Sequence, residues 1–379
     1  MIQHGRDDEI ERLLDQPAVD ARLELTSWLG GQRLADLYPG AGKITWNETD
    51  RRGSLDVDVA VEQRIMSPSH PLANVGQVLE ARWTWPEINV SIPCGRWLIS
   101  EPASREGPVW QVAADPEGPA RLARAQLWEP GTHVIKGTVM GQLRQLLLHA
   151  NVSGVHMESW LDKSAPDTEA DAGTSVLSLV EDLLAHGETI MRAGRDGLGV
   201  EFHRHMYGSG NYQWRLSTSS PRVLKVSGDI ATDEIPNRVT VWCEEEVETG
   251  DEANPTQHVT RGFSQPLYEG PRRWGGPYGQ VPKVVRLDAP VPDIELRQRA
   301  RHLLREAQEK AATVRVEMRA DPRIEVGDSM QVVDPTTATD CYGRVTSVEL
   351  DAATGVGVVQ CSVRYGRLAG EPISILNQN

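Results

Sequence analysis

Gly76-Gln77-Val78-Leu79 opens a stretch that continues as Ala81-Arg82-Trp83-Thr84-Trp85, and Gly95-Arg96-Trp97-Leu98-Ile99-Ser100 answers it. Far along the chain the same phrase returns. Gly327-Asp328-Ser329-Met330 leads into Gln331-Val332-Val333, and Gly343-Arg344-Val345-Thr346-Ser347-Val348 follows. The paired glycines stand 19 residues apart in the first copy and 16 in the second. Glycine before a polar residue suits a tight turn, because it reaches positive φ without a Cβ penalty. Gly-Arg before alternating apolar residues suits a strand start. Two like β-units with a helical stretch between them predict a multi-part scaffold rather than a catalytic cup. Two copies leave duplication and coincidence equally open.

Outward from the first copy, residues 23–115 read as β. Ser54-Leu55-Asp56-Val57-Asp58-Val59-Ala60-Val61 alternates apolar and polar with period two, the pattern of a half-buried antiparallel strand. Ile88-Asn89-Val90-Ser91-Ile92-Pro93 alternates likewise and is expected to stop at the proline. Trp110-Gln111-Val112-Ala113-Ala114 reads as the last strand of the unit.

The middle is helical. Val139, Met140, Leu143, Leu146 and Leu147 form one apolar stripe, and Thr174-Ser175 introduces a second helix that ends at Gly187. Thr189–Arg192 and Gly199–Phe202 then read as a hairpin. Residues 244–283 are rich in Glu, Pro and Gly and too long for an ordinary connection, so they are expected to form a functional arm, a partner-ordered loop or a flexible excursion. An amphipathic helix follows, with Leu296, Ala300, Leu303, Leu304, Ala307 and Ala311 on one stripe.

The expected fold class is therefore α+β and mostly β, with two similar small antiparallel β-barrel units. In order these are an N-terminal arm or helix (1–22), a first β-unit (23–130) and an α+β insertion of a helix pair plus hairpin (131–228). A second β-unit (229–369) carries the arm 244–283 and the helix 292–313, and a tail (370–379) closes the chain.

Composition narrows the function classes. The 379 residues carry a formal net charge of −15, which argues against a nucleic-acid-binding surface and suits one that DNA passes without sticking. No apolar run approaches the roughly 20 residues of a membrane span, and the first residues lack the apolar stretch of a signal peptide, so synthesis in a reducing cytoplasm is expected. Cys94, Cys243, Cys341 and Cys361 match no zinc spacing and read as buried thiols. Eleven Trp against two Phe point to core and interface anchors.

The search for catalytic chemistry returns little. Pro39-Gly40-Ala41-Gly42-Lys43 imitates a phosphate loop, but Leu37 stands where the first glycine belongs and Ile44 where Ser or Thr belongs. His203 and His205 share a strand face and could meet one metal ion, yet no third ligand is evident nearby, and a solvated pair is the preferred reading. Asp56 with Asp58, and Glu244 to Glu246, are too close in sequence for a hydrolytic pair straddling a cleft. No catalytic, cofactor or metal residue is assigned, and the chain reads as a non-enzyme.

With these segments placed, their order resembles the tail hub (baseplate hub) proteins of tailed bacteriophages, often called minor tail proteins. The resemblance rests on the turn-and-strand phrase at Gly76–Ile99 preceded by Pro71-Leu72, and on Ile230 to Trp242 as a return strand. It also rests on Tyr278-Gly279, the helix around Leu303 and Ala307, and Ala320-Asp321-Pro322-Arg323-Ile324-Glu325-Val326-Gly327-Asp328. It implies a structural homotrimer at the virion tail tip, in which two like units per chain make a pseudo-sixfold ring. The implied partners are the distal tail or tail tube ring, the tape-measure protein and a central fibre or other tip proteins, with DNA passing through the lumen and no membrane insertion. A carbohydrate-binding adsorption protein using exposed Trp such as Trp160 or Trp274 is the first rival, and a cell-wall hydrolase with a cleft between the β-units, using His203 or an acidic residue, the second.

Overall fold

In the computed structural model the placed residues are all but 1–6, 17–19, 49–52, 61–66, 107, 158, 163, 166, 188, 195–198, 205–212, 231–234, 252–253, 269, 271, 288–289, 310, 369–370 and 375–379. The described residues are mostly strand, with five α-helices: α1 (Asp7–Leu14), α2 (Glu117–Arg124), α3 (Val139–His149), α4 (Val176–Gly187) and α5 (Asp293–Glu309).

Period-two patterning becomes two antiparallel β-regions. In the first, Val78–Trp85 turns Leu79, Ala81, Trp83 and Trp85 wholly inward and leaves Glu80, Arg82 and Thr84 partly exposed. Its neighbour Val90–Ile99 does not stop at Pro93. The strand passes through a bulge in which Cys94 and Gly95 face Ala81, with Gly95 at φ +101°. Pro93 itself stays in register opposite Arg82, next to this bulge, so the ladder is interrupted just after the proline and resumes at Arg96. The second β-region is built from Trp214–Ser217, Val223–Ile230, Ala312–Arg319, Ser329–Asp334, Thr339–Asp351, Val356–Leu368 and Glu371–Ser374.

The sequence suggested two separate units, and the structure fuses them. Ser347–Asp351 pairs antiparallel with Lys43–Asn47, so strands from both ends of the chain form one 15-stranded sheet. Along its main path the ladder runs open from Val223–Ile230 at one end to Gln32–Leu37 at the other. Ile44, Trp46, Val348 and Leu350 at the junction are buried in one apolar core that spans both regions. Joining the two edges satisfies backbone groups that would otherwise face solvent.

Between the β-regions lies the insertion. α3 and α4 pack Leu143, Leu146, Leu147, Val180 and Leu184 into a second core with Val200 and Phe202. Thr138 caps α3 by accepting a hydrogen bond from the Gly141 amide at 3.2 Å. Thr189–Ala193 and Val200–Arg204 pair antiparallel, as the hairpin reading expects, and Val155–Met157 adds a parallel strand that period-two reading missed because it is three residues long.

The arm 244–283 is also β over much of its length. Arg238–Asp251 and Asn254–Pro266 form a long hairpin, and Pro282–Arg286 joins the first strand in parallel. α5 covers one side of the hairpin base, where Leu296, Ala300 and Leu304 bury against Val239, Val241, Cys243 and Leu267. Charge hid this hairpin from the sequence reading: a run of glutamates looks like a loop, yet Glu244 and Glu245 sit in register opposite Thr260 and Val259.

Candidate functional site

The segment Asp321–Asp328, part of the phrase that carried the resemblance, is where the parts of the molecule meet. Gly327 adopts φ +98°, a conformation open to glycine, and its amide donates to the Val345 carbonyl at 2.8 Å. The Val345 amide donates in return to the Asp328 carbonyl at 2.8 Å, which clamps the turn to the following long strand.

Arg323 is the centre of this junction, with a side chain only 2% exposed. It makes a fork with Asp321, Nε to Oδ1 at 2.9 Å and Nη2 to Oδ2 at 2.7 Å. The same guanidinium donates to Glu11 Oε1 at 2.8 Å and Asp7 Oδ1 at 3.2 Å, both on α1, and lies over the Trp214 ring at 5.4 Å. Burial works against its charge, but the hydrogen bonds and charge of Asp321, with Glu11 and Asp7, raise its pKa above the ordinary arginine value. Arg222 adds a second ion pair to Glu11. Ile10, Leu13 and Leu14 fix the apolar side of α1 in the shared core. The N-terminal helix is thereby stapled to the C-terminal β-region.

Asp328 and Glu325 extend the junction. Asp328 Oδ2 accepts from Trp214 Nε1 at 2.7 Å and from the Glu325 amide at 3.0 Å; burial pushes its carboxyl pKa up, against the pull of those two donors. Arg192, from the insertion, donates to the Val326 carbonyl at 3.0 Å and pairs with Glu325 at 3.2 Å and Glu201 at 3.0 Å. Arg344, 4% exposed in its side chain, reaches Glu48 of the first β-region at 2.5 Å. One short segment and the strand it clamps to therefore hold α1, the insertion and both β-regions in fixed relation. This is positioning chemistry: the charges are paired and turned toward each other, with Arg323, Asp321, Glu325 and Arg344 buried and their partners on α1 part-exposed.

The residues weighed for other chemistry are dispersed. His203 lies on Val200–Arg204, but its side chain and all of His205 fall outside the described residues. Among the described residues no three His, Cys, Asp or Glu side chains are close enough to hold a metal ion. Asp56 and Asp58 line a shallow groove with Lys43, Glu101 and Asp351, and Lys43 pairs with Glu349 at 2.8 Å. Glu244 pairs with Arg286 and Glu245 with Arg261, each at 2.8 Å, while the Glu246 side chain is outside the described residues. Trp274 is half-buried with the Arg238 guanidinium 5.0 Å over its ring, and the side chain of Trp160 is outside the described residues. Ala41-Gly42-Lys43 begins a strand, not a phosphate loop. All four cysteines are buried free thiols, and burial pushes Cys341 up to about 12. No described helix is long and apolar enough to cross a membrane. The junction itself was missed as a site, although Asp321-Pro322-Arg323 held its signal: two opposite charges flanking a proline, between the buried Ala320 and Ile324.

The whole arrangement matches solved structures over nearly its full length. A tail protein from Neisseria meningitidis MC58 superposes with a TM-score of 0.63 at 12% identity, covering 92% of this chain and 98% of the other. The fold is that of a phage tail protein. The 43 kDa tail protein of prophage MuSo2 from Shewanella oneidensis gives 0.63 at 11% identity over 89% of this chain and 98% of its own. The prophage tail protein gp18 from Listeria monocytogenes EGD-e gives 0.51 at 12% identity over 90% and 94%. No family model and no curated protein matches by sequence. The likeness to these tail proteins is thus one of fold, at 11–12% identity.

Proposed function

We propose that the chain is a structural hub subunit of a phage tail tip, acting as a homotrimer and not as an enzyme. The observation that carries this reading is the tail-protein fold spanning nearly all of this chain and of the Neisseria tail protein. Three chains with two β-regions each present six similar β-regions around one axis, which suits docking on a sixfold tube. In this role the subunit sits at the virion tail tip and joins the tail tube or distal tail ring to a central fibre and other tip proteins. It also surrounds the path of the tape-measure protein and DNA. Asp56 and Asp58, on the groove with Glu101 and Asp351, give the lumen a face that repels phosphate.

Light scattering on the purified chain across concentration tests the proposal. The expected result is three times the chain mass, with sixfold-like rings in electron micrographs. A chain that stays monomeric and binds host-wall glycan would replace the hub with an adsorption protein.

A further inference from the structure

The two β-regions carry the same ladder. In the first, Ala41–Asn47, Gly53–Ala60, Val109–Pro116, Val90–Ile99 and Val78–Trp85 lie side by side in that order, each antiparallel to the next. In the second, Val223–Ile230, Ala312–Arg319, Val356–Leu368, Thr339–Asp351 and Ser329–Asp334 do the same. The strands of each set also follow one another along the chain in the same sequence. Register agrees as well. Ile44 faces Leu55, which faces Ala114; Gly228 faces Val314, which faces Cys361. Ile44 therefore corresponds to Gly228, and Trp46 to Ile230.

The likeness fails at one edge. Lys43–Asn47 is covered by Ser347–Asp351 of the second region, and Ile44 and Trp46 are buried. Its counterpart Val223–Ile230 ends the ladder, with six of its eight residues exposed and Ile230 38% exposed. The same correspondence names what would cover it. In the second region Glu349, Leu350 and Asp351 face Val358, Gly357 and Val356. In the first, Ser104, Arg105 and Glu106 face Gln111, Trp110 and Val109, the matching positions of the matching strand. Ser104–Glu106 thus stands in the place of Glu349–Asp351, and among the described residues its other edge pairs with no strand.

We infer that a second copy of the chain covers the Val223–Ile230 edge with its own Ser104–Glu106 strand, repeating between chains the seam built within one. The inference rests on the trimeric reading above. An open edge presents a row of unpaired N–H and C=O groups, which an extended strand satisfies. In the internal seam Glu349 faces Thr45 and Leu350 faces Ile44. Between chains, Ser104 then faces Asp229 and Arg105 faces Gly228. Two different edges meet, so the contact is heterologous, the kind that closes into a ring where its rotation allows. One kind of seam, alternately internal and external, joins the six β-regions of three chains at similar steps around the axis.

Cysteine pairing on the full chain tests the seam. The Ala352 amide donates to the Gly42 carbonyl and the Glu48 amide to the Thr346 carbonyl, so Glu349 and Thr45 form a non-hydrogen-bonded pair. Facing Cα atoms in such a pair stand about 4.5 Å apart, within reach of a disulfide. Their counterparts Ser104 and Asp229 are both exposed, and the four native cysteines are buried. Ser104→Cys with Asp229→Cys is expected to give, on mild oxidation, reducible covalent dimers and trimers on a denaturing gel. Each single variant is expected to stay at the mass of one chain. A second variant reads the backbone. Val226, the counterpart of Gly42, turns its N–H to the open edge, and Val226→Pro removes that donor. It is expected to weaken association by about tenfold or more in light scattering, with circular dichroism unchanged. Where Val226→Pro does not fold, the cysteine pair decides alone. A wild-type trimer whose double-cysteine variant forms no interchain disulfide, or which a folded Val226→Pro leaves intact, overturns the seam and leaves the hub reading standing. A wild-type monomer at all concentrations, with no interchain disulfide in the double variant, overturns the seam together with the trimer.

Discussion

The two turns that begin the repeated phrase are built alike and used differently. Gly76 and Gly327 both take positive φ, at +124° and +98°. Each is followed by a buried polar side chain that accepts from a nearby backbone amide: Gln77 Oε1 from Val75 at 3.2 Å and Asp328 Oδ2 from Glu325 at 3.0 Å. Each turn also receives an amide from the answering strand, Ile99 to the Gln77 carbonyl and Val345 to the Asp328 carbonyl. Beyond that they diverge. Gln77 is neutral and donates only within its own loop, to the Pro68 and His70 carbonyls. Asp328 is a buried acid in a segment that also holds Arg323 and Glu325, and through them α1 and the insertion. The answering arginines repeat the contrast: Arg96 pairs locally with Glu117 at 2.6 Å, whereas Arg344 reaches across to Glu48. One turn closes a local loop, and its counterpart has become the joint of the whole chain.

The comparison breaks most severely at Arg323. Arg323→Met leaves Asp321 buried without its cation and unhooks α1, at a cost of about 3–5 kcal/mol by chemical denaturation. Arg96→Met, at the more exposed and local pair, is expected to cost about 1 kcal/mol or less. Equal losses would erase the distinction between joint and local turn.

The answering glycines give the next largest effect. A Cβ on Gly343 would stand 2.3 Å from the Ser362 carbonyl oxygen, so Gly343→Ala must push two central strands apart, costing about 2–3 kcal/mol. Gly95→Ala meets no contact shorter than 3.4 Å and bears only the positive-φ strain, about 1–2 kcal/mol. Melting curves of the two variants rank them.

Smaller effects appear in pH dependence. Burial places the folded pKa of Asp328 above the unfolded value of about 3.9, so the stability linked to its proton is fully present below that value and is lost as pH rises through the folded one. Asp328→Asn keeps an acceptor for Trp214 and is expected to remove that slope on the acid side of neutrality. Asp334 provides the opposite sign. Hydrogen bonds from Thr337 and Thr336, with Thr218, hold it at about 2, so its stabilisation is present above about pH 3.9 and fades as pH falls through about 2. Asp334→Asn should flatten only that lower window. Stability-versus-pH curves that cross or coincide in the wrong window would contradict the assignment of either carboxyl.

Much of this architecture was legible in the residues. Alternation in Leu55, Val57 and Val59, the apolar stripe of α3 and the stripe of α5 each state a local rule, and each element formed where its rule lies. The repeated glycine phrase told of two like turns because positive φ is written directly into the residue type. Tertiary structure decided what those rules leave open. Pro93 did not end its strand because it holds its register opposite Arg82 beside a bulge, and the glutamates of 244–246 did not prevent pairing because a cross-strand partner, not propensity, fixes a hairpin. The edge that fuses the β-regions, and the meeting of Asp7 and Glu11 with Arg323 more than 300 positions away, follow from no local pattern. Sequence periodicity reports which side of an element is apolar; which apolar sides share one core, and which buried charges find each other there, is settled only when the whole chain packs.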